Sequence, residues 1–331
     1  MTVILKVNPK LAFTGREDFI SKVRPNSIAV DGIIKNEQTF RVPEGPYANF
    51  DHHYGSDDIA TRSSFMQVYL EIKQRDLVDR FSKDGEFSVY MYADHGDEDV
   101  CGCYWALRNA KKIIENENDR IRQLVDLCDK LDTTAGSFEA GDTVLRRRMA
   151  WIFKPYHNAR YKGRSDSMGP REYGNMIRAV NGRICDYVSG GGGEVKLEGG
   201  YEDIGIDRKR NEENGWIFTK EFSPASRMVM YLEGVRTFAS LVGKRKDGNI
   251  DVMLGKKTGW NIDYCIPKIF DRLNKEEGDI VSETNFWGGS DMRGGSPKES
   301  GSRLSLGGIE RCINEEVEIA REERISKEKE K

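Results

Sequence analysis

Asp31, Asp51-His52-His53, His95, Asp97, Asp99 and Asp132 are the side chains whose types and spacing could do chemistry together. His95, Asp97 and Asp99 alternate where an apolar run, Phe87 to Ala93, stops and a helical pattern begins, so alternate residues can point to one side. Asp51, His52 and His53 close a second short run, and Asp31 closes a third just before Gly32. The chain holds 4 histidines, and His157 alone lies outside these clusters. Carboxylates mixed with imidazoles suit divalent transition metals. A lone Asp-His-His has a plainer reading as buried, hydrogen-bonded histidine. The combination of Asp31, His52, His95, Asp97, Asp99 and Asp132 at element ends is harder to attribute to a solvated face. So many ligands suit two divalent ions sharing a bridging aspartate. Such a pair, about 3.5–4 Å apart, can generate a hydroxide and clamp a phosphoryl centre for in-line displacement.

The elements that must hold these groups can be read from periodicity. Strands are expected over 27–32, 47–53 and 87–93, and helices over 61–75, 100–114 and 119–131. Strand and helix alternate, which predicts an α/β fold, a mostly parallel sheet flanked by helices. Open sheets of this kind put their sites at the carboxyl ends of the strands. Asp97 and Asp99 then fall at a helix N-terminus, whose dipole favours their ionised forms. Asp132 is expected in an acidic turn, Leu131 to Phe138, with Asp129 competing for its role. Asp94, Glu98 and His157 read as surface groups, and residues 1–26 carry few signals.

Beyond residue 143 the pattern changes. Residues 144–215 read as a connector, opened by Arg146-Arg147-Arg148 and interrupted by Gly190 to Gly193. That tetraglycine reads more readily as a flexible loop than as a phosphate cradle. Strands over 216–221, 227–233, 236–242 and 249–254 and a helix over 266–274 predict a second, smaller α+β domain over 216–308. It ends in a loop, 287–302, where Arg293, Gly294, Gly295, Ser296 and Lys298 would bring backbone amides and cations to an anionic substrate. Trp287 could stack on a base. Residues 309–331 form a charged helix with a thin apolar stripe, Ile309, Ile313 and Val317, fit to be solvated or to dock a protein partner or second copy.

The totals narrow the partners. The 331 residues carry a formal net charge of −3, with 37% hydrophobic and 32% charged side chains. The field does not favour a long polyanion, whereas a short or small phosphorylated ligand, gripped locally, is compatible with that balance. The 6 cysteines form no CxxC pair, so Cys101 and Cys103 read as packing residues and a reducing cytoplasm as the default. No signal-peptide core or membrane-spanning run is evident.

Phe50-Asp51-His52-His53, His95-Gly96-Asp97-Glu98-Asp99 and Leu131-Asp132-Thr133-Thr134-Ala-Gly-Ser-Phe138 resemble the signature motifs of the DHH phosphoesterase superfamily. Its members include nanoRNases, RecJ-type exonucleases, cyclic-dinucleotide phosphodiesterases and family II pyrophosphatases. The resemblance implies a DHH domain over 1–143 and a DHHA1-like substrate-binding domain over 216–308. It also implies two divalent ions, manganese by family habit with magnesium as the alternative. His95, Asp97 and Asp31 would hold one ion; Asp99, Asp31, His52 and Asp132 would hold the other. Asp51 would orient a ligand histidine, and His53 would contact the phosphate. Two features depart from the family. His-x-Asp-x-Asp follows Asp-His-His instead of preceding it, as though one strand–helix unit had moved in sequence but not in space. Gly294-Gly295-Ser296 stands where the family has Gly-Gly-His. Pyrophosphate hydrolysis and a non-catalytic nucleotide sensor or assembly component are the alternative functions.

Overall fold

The computed structural model describes residues 1–42, 45–57, 59–115, 118–138, 140–162, 164–223 and 225–330. The chain divides into two compact units. The first comprises Met1–Thr133, Ala140–Ala159 and Ser167–Leu197; the second comprises Thr134–Glu139, Arg160–Asp166 and Glu198–Lys331.

The first unit is built on a 6-stranded sheet among the described residues. Its strands are β1 (Thr2–Val7), β2 (Ser27–Val30), β3 (Phe40–Arg41), β4 (Tyr47–Phe50), β5 (Ser82–Lys83) and β6 (Glu86–Ala93). The order β1-β6-β2-β4 is parallel throughout. Antiparallel β3 closes the β4 edge and β5 pairs with β6. Along β6, Phe87, Val89, Met91 and Ala93 are buried while Ser88, Tyr90 and Tyr92 are half-buried, the period of two that a strand imposes. Val30 lies opposite Phe50 and Ala29 opposite Tyr92, so Asp31, Asp51 and Asp94 leave their strands at one level.

Helices cover the sheet: α1 (Arg16–Lys22), α2 (Ser64–Lys73), α3 (Asp76–Arg80), α4 (Glu98–Arg108), α5 (Ala110–Glu115), α6 (Asp119–Thr133), α7 (Val144–Ile152), α8 (Lys154–Arg160) and α9 (Pro170–Val188). Gly102 lets α2 and α4 meet closely, because a Cβ there would lie 2.3 Å from the Phe65 ring. Cys101 and Cys103 are fully buried packing residues, as expected.

Several expectations need correction here. Residues 1–26 supply β1, the edge strand that pairs with β6, and helix α1. The stretch 144–215 is no mere connector. Met149, Ile152 and Phe153 of its α7 segment and Ile177, Val180 and Ile184 of α9 bury in the core under the parallel sheet. The tetraglycine serves packing, since the Trp151 ring occupies the space a Cβ would need at Gly192 and Gly193. Asp132 lies in the last turn of α6 instead of a loop.

The second unit carries a 6-stranded mixed sheet among the described residues, ordered β11-β12-β10-β9-β8-β7. Its elements are β7 (Tyr201–Asp203), α10 (Arg208–Glu213), β8 (Ile217–Glu221), α11 (Ser226–Leu232), β9 (Thr237–Lys244), β10 (Ile250–Lys256), α12 (Ile266–Glu277), β11 (Gly288–Gly289), β12 (Arg293–Gly295) and α13 (Leu306–Lys329). Residues 227–233, expected as a strand, form α11. Methionine favours helix, and the segment buries Ser226, Met230 and Tyr231 while exposing Leu232. The C-terminal helix spends its stripe inside this unit: Ile309, Ile313 and Val317 are fully buried in its core and are not free to dock a partner. Lys331 lies outside the described residues. No helix among the described residues is long and apolar enough to cross a membrane.

Candidate metal centre

At the carboxyl edge of the parallel sheet the chain turns through Asp31, whose φ of 60° is left-handed, followed by Gly32 at 76°. Aspartate tolerates this conformation better than most side chains, and it turns the carboxylate back over the strand ends. Asp31 is buried, and its oxygens face three histidines. Oδ2 lies 3.0 Å from His95 Nε2, while Oδ1 lies 3.7 Å from both His52 Nε2 and His53 Nδ1.

The other expected ligands gather around it. His95 Nε2 also lies 3.2 Å from Asp97 Oδ2, whose Oδ1 caps α4 by accepting from Val100 N at 3.0 Å. His52 Nε2 lies 3.0 Å from Asp132 Oδ2 and 3.9 Å from Asp99 Oδ2. Three groups place one ligand atom of each member within 4.8 Å of one another: Asp31, His95 and Asp97; His52, Asp99 and Asp132; and Asp31, His52 and His53. Asp31 and His52 each belong to two of them, so the groups form one continuous cluster.

Asp51 does not orient His52 through its ring. Its Oδ1 accepts from His53 Nδ1 at 2.8 Å and from the backbone N–H groups of His52 and His53 at 2.7 and 3.0 Å. One carboxylate oxygen therefore fixes the local backbone and the His53 ring together.

Most of the supporting residues are ones that sequence patterns did not flag. The N-terminus of α2 is aimed at the acids: Phe65 N donates to Asp99 Oδ1 at 3.1 Å, and the Ser64 hydroxyl is shared between Asp31 Oδ1 and the Phe50 carbonyl. Amides at a helix start stabilise anions for this reason. Asp129 belongs to the same support. It accepts from Ser63 N and pairs with Arg62, both at 2.8 Å, which leaves Asp132 as the α6 residue facing His52. Asp94 is no surface group: it is buried, bonds His95 Nδ1, and lies 3.4 Å from the ammonium of buried Lys35. His157 is buried as well, with Nε2 2.6 Å from Glu98 Oε1.

The electrostatics follow from this crowding. Burial pushes the Asp99 carboxyl well above the carboxylate range, and the charges of Asp132, Asp31 and Asp97 add to it against the pull of His52. For Asp31, burial acts in the same direction but is outweighed by His53, His52 and His95, which hold its pKa well below the usual value. The donor set suits divalent cations. It is oxygen-rich with imidazole, and the buried Oδ2 atom of Asp99 accepts no hydrogen bond among the described residues.

The C-terminal glycine segment departs from its expected form. Arg293, Gly294 and Gly295 are strand β12, paired with β10 on one side and β11 on the other. Ser296 donates its N–H to the Val252 carbonyl at 2.9 Å. These amides belong to a sheet, so the segment is not a loop with amides open to an anion. Glycine is required at 294 because a Cβ would meet the Gly288 carbonyl at 2.4 Å. Lys298 is exposed, whereas Trp287 is buried, with its indole N–H 3.0 Å from Glu277, so it offers no face to a base.

The chain matches no family model, no curated protein and no solved structure.

Proposed function

We propose that this chain is a phosphoesterase of the DHH type that hydrolyses short oligonucleotides or nucleotide phosphoesters with two divalent cations, manganese first and magnesium second. The observation that carries the reading is the convergence of Asp31, His52, His95, Asp97, Asp99 and Asp132 on one sheet edge, with Asp31 common to two of the ligand groups. A second support is the order of strands. β6, β2 and β4 lie side by side, which brings the ends that carry His95 to Asp99, Asp31 and Asp51 to His53 next to one another.

His95, Asp97 and Asp31 would hold one cation, and His52, Asp99 and Asp132, with Asp31, the other. When bound, such a pair activates water at neutral pH and neutralises charge on a phosphoryl group. Asp51 engages His53 through Nδ1, which leaves Nε2 to meet a phosphoryl oxygen. Asp99, buried and held by Phe65 N, keeps its ligating oxygen from swinging to solvent.

The burial of Trp287 removes an aromatic that would have favoured bases over inorganic phosphates, so pyrophosphate belongs beside the nucleotides as a second candidate. The test is a panel of dinucleotides, short oligonucleotides, cyclic dinucleotides and pyrophosphate with manganese. Turnover of at least one member is expected, and Asp97→Ala should abolish it while the protein still folds. Activity that survives this substitution refutes the metal-site assignment; a panel with no turnover refutes the enzyme reading and would favour a nucleotide sensor.

A further inference from the structure

Behind His95 stands a buried ionic pair that the ligand set does not use. Lys35 and Asp94 are 3% and 5% exposed, with Nζ 3.4 Å from Asp94 Oδ2 and 2.8 Å from the Gly32 carbonyl. The other Asp94 oxygen bonds His95 Nδ1, while His95 Nε2 faces Asp31 and Asp97. A buried ion pair is a poor source of stability, because desolvation offsets most of the attraction and an apolar replacement is often neutral or better. What this pair does supply is geometry. The lysine bridges the turn carrying Asp31 after β2 and the residue preceding His95 after β6. The neighbourhood is tied down as well: Lys35 N donates to the Phe13 carbonyl at 2.8 Å, and Asn8 N to the Ala93 carbonyl at 3.0 Å.

We infer that the Lys35–Asp94 pair is a positioning device that keeps the His95 proton on Nδ1 and aims the Nε2 lone pair at a divalent cation shared with Asp31 and Asp97. It rests on the reading of His95 as a ligand. A carboxylate accepts only from Nδ1–H, which selects one tautomer and raises the donor strength of the other nitrogen. Lys35 holds that carboxylate in place, and by bonding the Gly32 carbonyl it ties the orientation of His95 to the turn that presents Asp31. Asp94 and Lys35 touch neither water nor substrate in this scheme; they act through His95.

The experiment uses the full chain labelled with nitrogen-15 histidine, freed of metal with chelator, at a pH where the rings are neutral. Long-range nitrogen–proton spectra report the tautomer of His95, assigned with His95→Gln. Manganese binding is titrated in parallel. The wild type should carry Nδ1–H. Asp94→Ala should shift the ring toward Nε2–H and weaken manganese binding by about 10–100-fold. Asp94→Asn, which keeps an acceptor, should lose less. If Asp94→Ala does not fold, the wild-type tautomer and the affinity of Lys35→Met decide. A purely structural pair would leave the tautomer of a folded variant unmoved, and that result overturns the inference. A manganese-binding wild type with Nε2–H on His95 overturns this inference alone; a wild type that binds no manganese overturns the ligand reading beneath it.

Discussion

Asp99 carries the cost of the cluster. Its carboxyl is buried, and Asp31, Asp97 and Asp132 make the charged form costlier still, so its pKa in the folded protein is raised. A raised carboxyl pKa means that the folded state holds its proton more tightly than the unfolded state. Stability of the metal-free protein therefore falls as pH rises from the ordinary carboxylate value through the raised one. Asp99→Asn keeps the acceptor for Phe65 N and removes the charge. The metal-free variant should be more stable than the wild type at neutral pH by about 1 kcal/mol, while its manganese affinity drops. Chelator-treated thermal unfolding measures the first effect, and a variant less stable than the wild type would count against it. At this scale the candidate ligands were legible in sequence because His95, Asp97 and Asp99 alternate beside a strand. Lys35, Ser64 and Asp94 were not, because each reveals its role only through partners brought from other segments by the sheet, such as Ser64 to Asp31.

Among the elements, α13 shows how a charged helix can be an internal one. Beside its buried stripe, Asn314 accepts from Trp216 Nε1 and Asn214 Nδ2, both at 2.8 Å, and Glu318 receives a two-pronged bond from Arg210, 2.7 Å on each arm. Arg210 holds the Glu318 pKa down at about 2 against a partial burial that raises it, with Asn214 helping. The shift is downward, so the pair's contribution is present above the ordinary glutamate value and is lost as pH falls from there toward about 2. Arg210→Ala should lower stability by at most about 1 kcal/mol, the range for a partly exposed pair. The gap to wild type should narrow across that acid window in melting curves, and a constant gap would show that the pairing contributes nothing. The polar pattern of 309–331 concealed this docking, because asparagine and glutamate buried against partners far away in sequence look like solvated residues. The strand misread at 227–233 has a similar origin. A short apolar run does not announce its period, and only the exposure of Leu232 tells helix from strand.

For the whole molecule, the sequence led to a boundary at 143, whereas the first compact unit continues to Leu197 with an interruption at 160–166. The α7 and α9 residues that complete the core under the sheet sit beyond that boundary. A fragment of residues 1–143 should therefore leave an apolar face open and fail to unfold cooperatively in denaturant; a sharp transition from it would contradict the division. The parallel sheet itself was legible, since its strands are short apolar runs followed by turn residues and helices. The mixed character of the second sheet was not, because glycine pairs such as Gly294-Gly295 read as loop when a close-packed hairpin requires the same residues. The strand-end cluster is expected to hold two cations. The most direct measurement is equilibrium binding of manganese to the intact chain and to Asp31→Ala. Two ions per wild-type chain are expected, with both sites weakened together by the single substitution. A wild-type chain that binds none, or an Asp31→Ala chain that binds two with unchanged affinity, would contradict it.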